Sequence, residues 1–133
     1  MKILVLGASG QIGSVIYDGL NVSHEVVGTS RKKTDKYLQF DPFRDDWSVF
    51  GKPDVLINCV GQIQAKAKSS FYHIHVELTR QILSHRSQLG NPRIIQISAL
   101  GASLEHNVEF LKTKGMADDL LLQHPNTAVI RPS

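Results

Sequence analysis

The chain has a single cysteine among its 133 residues. Cys59 has no partner for an internal disulfide, and its place in the apolar run 55–60 marks it as a small buried residue in a reducing compartment. Long apolar runs are also missing. The N-terminal stretch is four residues before Gly7, too short for a signal-peptide core, and no other run approaches membrane-spanning length. The expectation is a cytoplasmic protein with no membrane contact. Neither sign of charge dominates: 15 Lys and Arg stand against 12 Asp and Glu, a net charge of +3. The densest basic cluster, Arg31-Lys32-Lys33, is too short for the stripe of phosphate contacts that a nucleic-acid duplex needs, so no nucleic-acid partner is expected. Internal repeats, low-complexity segments and linkers are absent, and no metal site is expected. With 41% hydrophobic and 20% charged residues, the composition is that of one globular domain, residues 1–133.

Against these absences stands the N-terminus. The apolar run Ile3-Leu4-Val5-Leu6 enters Gly7-Ala8-Ser9-Gly10-Gln11-Ile12-Gly13, a buried strand feeding a Gly-rich turn and a helix. This arrangement presents backbone N–H groups to a phosphate. The first Gly permits a tight turn, the second a close approach of backbone to pyrophosphate, and the third close packing of helix on strand. Gly7, Ser9, Gly10, Gln11, Ile12 and Gly13 are therefore candidate cofactor-binding residues.

Strand and helix patterns alternate downstream. A short amphipathic helix covers 14–20, a second strand 24–29, a third 37–40 ended by Asp41-Pro42, and a short helix follows near 45–50. The continuous apolar run 55–60 reads as a parallel strand buried on both faces. Residues 68–89 read as one long helix with Phe71, Ile74, His75, Leu78 and Ile82 on one stripe. A fifth strand at 93–98, a helix at 108–123 and a sixth strand at 127–130 complete an α/β fold, a doubly wound parallel sheet of order 3-2-1-4-5-6.

The end of the second strand reads the cofactor's ribose. An acid there accepts from a 2′-OH, whereas an Arg pairs with a 2′-phosphate. Gly28-Thr29-Ser30-Arg31-Lys32 offers no acid. Ser30 can donate a hydrogen bond, Arg31 a bidentate contact and Lys32 a point charge, which predicts NADP(H) over NAD(H). Asp41 stands where an acid accepts from the adenine amino group. Asn58 and Gly61, after the fourth strand, are expected along the adenosine ribose.

The Gly turn, Asn58-Cys59-Val60-Gly61, Ile97-Ser98-Ala99 and Ile130-Arg131-Pro132-Ser133 together resemble the short-chain dehydrogenase/reductase superfamily over the whole chain. The run Ser98 to Ala102 followed by Phe110-Leu111-Lys112-Thr113-Lys114 is most similar to its atypical and extended branch, which holds NmrA-like regulators and the Rossmann accessory subunit of respiratory complex I. The resemblance implies a catalytic Ser, Tyr and Lys. Ser98 matches the Ser and Lys114 the Lys, the latter also holding the nicotinamide ribose, but Phe110 occupies the Tyr position and cannot transfer a proton. Tyr17, Tyr37 and Tyr72 fall in other elements. His75 lies on the stripe facing the sheet, where a core histidine is the expected reading and an acid/base the sharper one. Members of these branches continue into a C-terminal substrate region, which this chain is expected to lack after Ser133. The face so exposed would be apolar and favour a homo-oligomer or a partner protein.

Two functions compete. One is an NADP(H)-dependent carbonyl or hydroxyl oxidoreductase acting by hydride transfer on an unknown small molecule. The other is a redox-inactive NADPH-binding sensor or assembly module.

Overall fold

The computed structural model describes residues 1–61, 71–105 and 107–132. Its centre is β1 (Lys2–Leu6), buried from Ile3 onward. The apolar residues of β1 face both ways, as a central parallel strand requires. Leu4 and Leu6 enter one core with Leu56, Ile94 and Leu121, while Ile3 and Val5 enter a second with Ile57 and Ile97.

From β1 the chain forms α1 (Gln11–Leu20), β2 (Glu25–Ser30), β3 (Leu38–Gln39), a short 3-10 helix (Trp47–Phe50) and β4 (Val55–Asn58). A π-helical turn (His73–Glu77) runs into α2 (Leu78–His85), followed by β5 (Arg93–Ile97), α3 (Glu109–Leu122) and β6 (Thr127–Ile130). The six strands form one sheet of order β3-β2-β1-β4-β5-β6, every pairing parallel. The expected α/β topology is the observed one. Among the described residues no helix is long and apolar enough to cross a membrane, and no group of His, Cys, Asp and Glu could hold a metal ion.

Several boundaries differ from the sequence reading. The third strand shrinks to Leu38–Gln39. Tyr37 turns its ring edge-on to Tyr17, with centroids 5.1 Å apart. Of the long helix expected over 68–89, residues 68–70 lie outside the described residues. From Phe71 the chain is helical without a break to His85, the π-turn lying inside it, and turns follow from Arg86 to a left-handed Gly90. Apolar periodicity locates a buried face but does not register one extra residue per turn. The face itself is as expected, with Ile74, His75, Leu78 and Ile82 buried.

The two faces of the sheet are covered unequally. Ile82 of α2 and Leu121 of α3, with the aromatic cluster Phe40, Trp47 and Phe50, pack on the first core. On the other face Ile16, Tyr17 and Leu20 of α1 lie over β1 and β2, while Val55 and Ile95 stay half-buried and Ile130 is exposed. Parallel sheets bury both faces, and among the described residues the β4–β6 half of this face keeps apolar surface in Val55, Ile95 and Ile130.

A candidate dinucleotide site at the carboxyl ends of the strands

At the carboxyl ends of the strands lies an open groove of about 700 Å³. Its floor is the Gly turn. Gly7 has φ +75°, and a β-carbon there would stand 2.8 Å from the Val60 nitrogen. A β-carbon on Gly13 would meet the Gly7 carbonyl oxygen at 2.1 Å. Only glycine lets β4 and α1 approach the turn this closely. Gly7, Ser9 and Gly10 line the groove. Gln11 and Ile12 open α1 as exposed residues and Gly13 is buried under the turn; none of these three lines it.

The wall nearest β2 and β3 is formed by Thr29, Ser30, Arg31, Lys32 and Asp41. Thr29 anchors the turn, its carbonyl accepting from the Ala8 N–H at 2.8 Å. Ser30 is buried and its hydroxyl oxygen accepts twice, from the Ser9 hydroxyl at 3.1 Å and the Lys32 N–H at 3.2 Å. Its own proton is left to donate. Arg31 and Lys32 are exposed beside it. The structure thus brings together Ser30, Arg31 and Lys32, as the sequence suggested, and adds Ser9. Asp41 also lines the groove, with Oδ1 accepting from the Phe43 N–H at 2.9 Å.

Asn58 does not line the groove. Its side chain is buried, Oδ1 accepting from the Val60 N–H at 3.1 Å and Nδ2 donating to Gln96 Oε1 at 3.0 Å. Its structural work is to shape the segment that follows: Cys59, Val60 and Gly61 line the groove instead. The Cys59 thiol is pushed up to about 11 by burial, against the pull of Lys114, and so stays protonated at neutral pH.

Beyond Gly61 lies the cluster around Lys114. Lys114 is buried, its Nζ donates to the Ile97 carbonyl at 3.1 Å, and a β-carbon on Gly61 would stand 3.5 Å from it. Burial pulls its pKa below the usual lysine value, with Asp118 and Cys59 opposing. Ser98 is also buried. Its hydroxyl donates to Asp118 Oδ2 at 2.5 Å, so its one proton is already committed and its oxygen can only accept.

Asp118 was not singled out by sequence. Fully buried, it accepts from Gln96 Nε2 and Ser98 Oγ and from the Nε and Nη2 of Arg131. Its position four residues after Lys114 on one helix face was the available signal. His75 Nδ1 and Thr113 Oγ1 are hydrogen-bonded at 2.7 Å, and the same hydroxyl lies within donating reach of the carbonyls of Glu109 and Phe110. Its Nε2 is buried without a hydrogen-bond partner among the described residues. The ring lies against Phe71 and edge-on to Phe110. Burial, and then the Lys114 charge, push the imidazole down to about 3. The imidazole is therefore buried, held neutral and packed among aromatic rings.

Comparison with known proteins places this geometry. Residues 3–114 match the family described as NAD dependent epimerase/dehydratase. A mitochondrial protein of Arabidopsis thaliana, NADH dehydrogenase [ubiquinone] 1 alpha subcomplex subunit 9, is 31% identical over 103 residues, covering 72% of this chain and 25% of that protein. UDP-glucuronic acid 4-epimerase from Bacillus cereus, solved with NAD, superposes with a TM-score of 0.83 at 20% identity, over 98% of this chain and 55% of that one. A putative NAD-dependent epimerase/dehydratase from Bacillus halodurans gives 0.81 at 19% identity, over 99% and 70%. At these identities the two structures speak for the fold. The chain spans about a quarter of the plant relative and about half of the Bacillus cereus epimerase. It belongs to the NAD-dependent epimerase/dehydratase family of the short-chain dehydrogenase/reductase superfamily, whose shared cofactor is a nicotinamide dinucleotide.

Proposed function

We propose that this chain is an NADP(H)-binding module that holds its cofactor without turning over a carbonyl or alcohol. One observation carries the cofactor choice: the chain leaving β2 lines the groove with Ser30, Arg31 and Lys32 and contributes no acid of its own, the one carboxylate on that wall being Asp41 after β3. Ser30 keeps a free hydroxyl proton, and Arg31 and Lys32 supply the charge that a 2′-phosphate needs. The expected cofactor-binding residues are Gly7, Ser9, Gly10, Gln11, Ile12 and Gly13 of the Gly turn, with Asp41 at the adenine, Asn58 and Gly61 along the ribose and Lys114 at the nicotinamide ribose. Isothermal titration with NADPH and NADH is the test. NADPH is expected to bind more tightly, and Arg31→Ala to lose about ten- to a hundredfold in NADPH affinity while NADH changes little. Equal binding of the two cofactors refutes the choice.

The absence of turnover rests on the Lys114 cluster. Phe110 has no hydroxyl, the Ser98 proton is taken by Asp118, and His75 is neutral with its imidazole low. Among the described residues, none of these three side chains is ready to move a proton near neutral pH. The second reading, an oxidoreductase with Ser98 and Lys114 as catalytic residues, is favoured by the buried Lys114 beside Gly61. Phe110→Tyr restores a phenol four residues before Lys114. NADPH oxidation by the unmodified chain with any of a panel of carbonyl compounds establishes the oxidoreductase; activity only in the variant supports the module.

A module of this kind acts through a partner, and two apolar areas offer contact. Leu100, Leu104 and Val108 are exposed in the segment after β5, and Ile130 stands on the thinly covered sheet face. The plant relative's name is that of a respiratory-complex subunit, which supports a partner protein over a homo-oligomer. The cytoplasmic location read from the single cysteine stands beside a relative named as mitochondrial, and cell fractionation decides between them.

A further inference from the structure

The basic residues after β2 belong to an irregular segment in which Arg31 through Lys36 are all exposed. Of its cations Arg31, Lys32, Lys33 and Lys36, the first two line the groove. A segment this open has many conformations, and a ligand that needs one of them binds in proportion to how often that one is formed. The restraint comes from outside the groove, from α1.

The Tyr37 ring, at the far end of the segment, stands edge-on to Tyr17 of α1, with centroids 5.1 Å apart and planes at 89°. Both rings are half-buried against the second core. Gly28 of β2 lies beneath them: a β-carbon there would stand 2.8 Å from Tyr17 Cδ2 and 2.9 Å from Tyr37 Cδ1. The missing side chain lets the two rings meet over the strand. Thr34 lines the groove, and its hydroxyl accepts from the Tyr37 N–H at 2.9 Å. A turn that starts on the groove wall therefore ends on the ring held by α1. Lys36 Nζ adds an ion pair to Asp18 Oδ1 at 2.7 Å and lies 5.3 and 5.5 Å from the Tyr17 and Tyr37 centroids. The two side chains of that pair are 52% and 60% exposed, so it is weak and screened by salt. The half-buried edge-to-face rings are the stronger tie.

Resting on the NADP(H) reading above, we propose that the Tyr17–Tyr37 pair is a clasp that sets cofactor specificity from outside the groove. It holds the segment after β2 against α1, so that Arg31 and Lys32 are in place before a 2′-phosphate arrives. Neither tyrosine lines the groove; both are positioning residues that act through the segment between them and β2. A cofactor with a bare 2′-hydroxyl makes no use of the two cations. The clasp thus separates NADPH from NADH without touching either.

Isothermal titration with NADPH and NADH on Tyr17→Leu and Tyr37→Leu tests this, since leucine keeps apolar bulk on the core and removes the edge-to-face contact. Each variant is expected to lose about two- to tenfold in NADPH affinity, the worth of an aromatic pair, with NADH affinity unchanged. Tyr17→Phe keeps the ring and should bind both cofactors as the unmodified chain does. Trypsin reads the segment directly: without cofactor, the leucine variants should be cut sooner after Arg31, Lys32 and Lys33. Unchanged NADPH affinity in the folded leucine variants overturns the proposal and leaves the NADP(H) choice intact. An equal loss for both cofactors overturns it too, being the mark of general destabilisation. Cutting at the unmodified rate overturns the restraint on the segment, and failure of Tyr17→Phe to match the unmodified chain overturns the role given to the ring. Equal binding of NADPH and NADH by the unmodified chain overturns the cofactor choice itself.

Discussion

Replacing Asp118 by alanine tests the buried polar centre of the molecule. The carboxylate is fully buried and takes donors from Gln96, Ser98 and Arg131. Removing it has unequal consequences for the three. The Arg131 side chain is 41% exposed and turns to water, so its pairing is worth about 0–1 kcal/mol. Gln96 Nε2 and the Ser98 hydroxyl sit in residues only 3% and 5% exposed and lose the acceptors they have here. Each buried donor without an acceptor costs about 1–3 kcal/mol. Relief from burying a charge offsets part of this, which leaves a net loss of about 3 kcal/mol. In urea that moves the midpoint down by about 1–3 M. Ser98→Ala alone leaves Asp118 with Gln96 and Arg131 and should cost about 1 kcal/mol. The double variant should cost less than the sum, because the orphaned hydroxyl is gone. A loss below about 1 kcal/mol for Asp118→Ala, or strict additivity, would refute the reasoning.

Two further perturbations separate close packing from open space and neutral from charged burial. Gly13→Ala drives a β-carbon to 2.1 Å from the Gly7 carbonyl oxygen, whereas one on Gly19 meets nothing within 4 Å. Thermal melts should show the first strongly destabilised with NADPH binding lost, and the second stabilised by up to about 1 kcal/mol through helix propensity. The His75 pKa is about 3 in the fold against 6.5 unperturbed, so the unfolded chain takes up that proton first. Its contribution is complete above pH 6.5 and lost as pH falls toward 3, at up to about 1.4 kcal/mol per pH unit. Urea titrations across pH 4–8 on the protein and on His75→Gln should show the shallower slope in the variant; identical slopes count against a buried neutral His75.

The sequence by itself determined the sheet and its order. Continuous apolar runs at β1, β4 and β5 and alternation with helical patterns admit few topologies, and right-handed crossovers leave essentially one. The Gly7-to-Gly13 turn and the Ser30-Arg31-Lys32 cluster were equally legible, because their chemistry lies in consecutive residues. Tertiary structure decided what depends on residues far apart in the chain. Asn58 was expected at the ribose; that its amide donates to Gln96, 38 positions on, only the folded chain shows. Ser98 was matched to a catalytic serine; that α3 sets Asp118 against its hydroxyl is decided by packing across the sheet. His75 became a neutral core residue because Thr113, Phe71 and Phe110 converge on it, and Phe43 acquired a partner in His73 through the π-turn. Hydrophobic period fixes which face of an element is buried, whereas the direction of a hydrogen bond or the protonation of a side chain is set by the groups packed across from it.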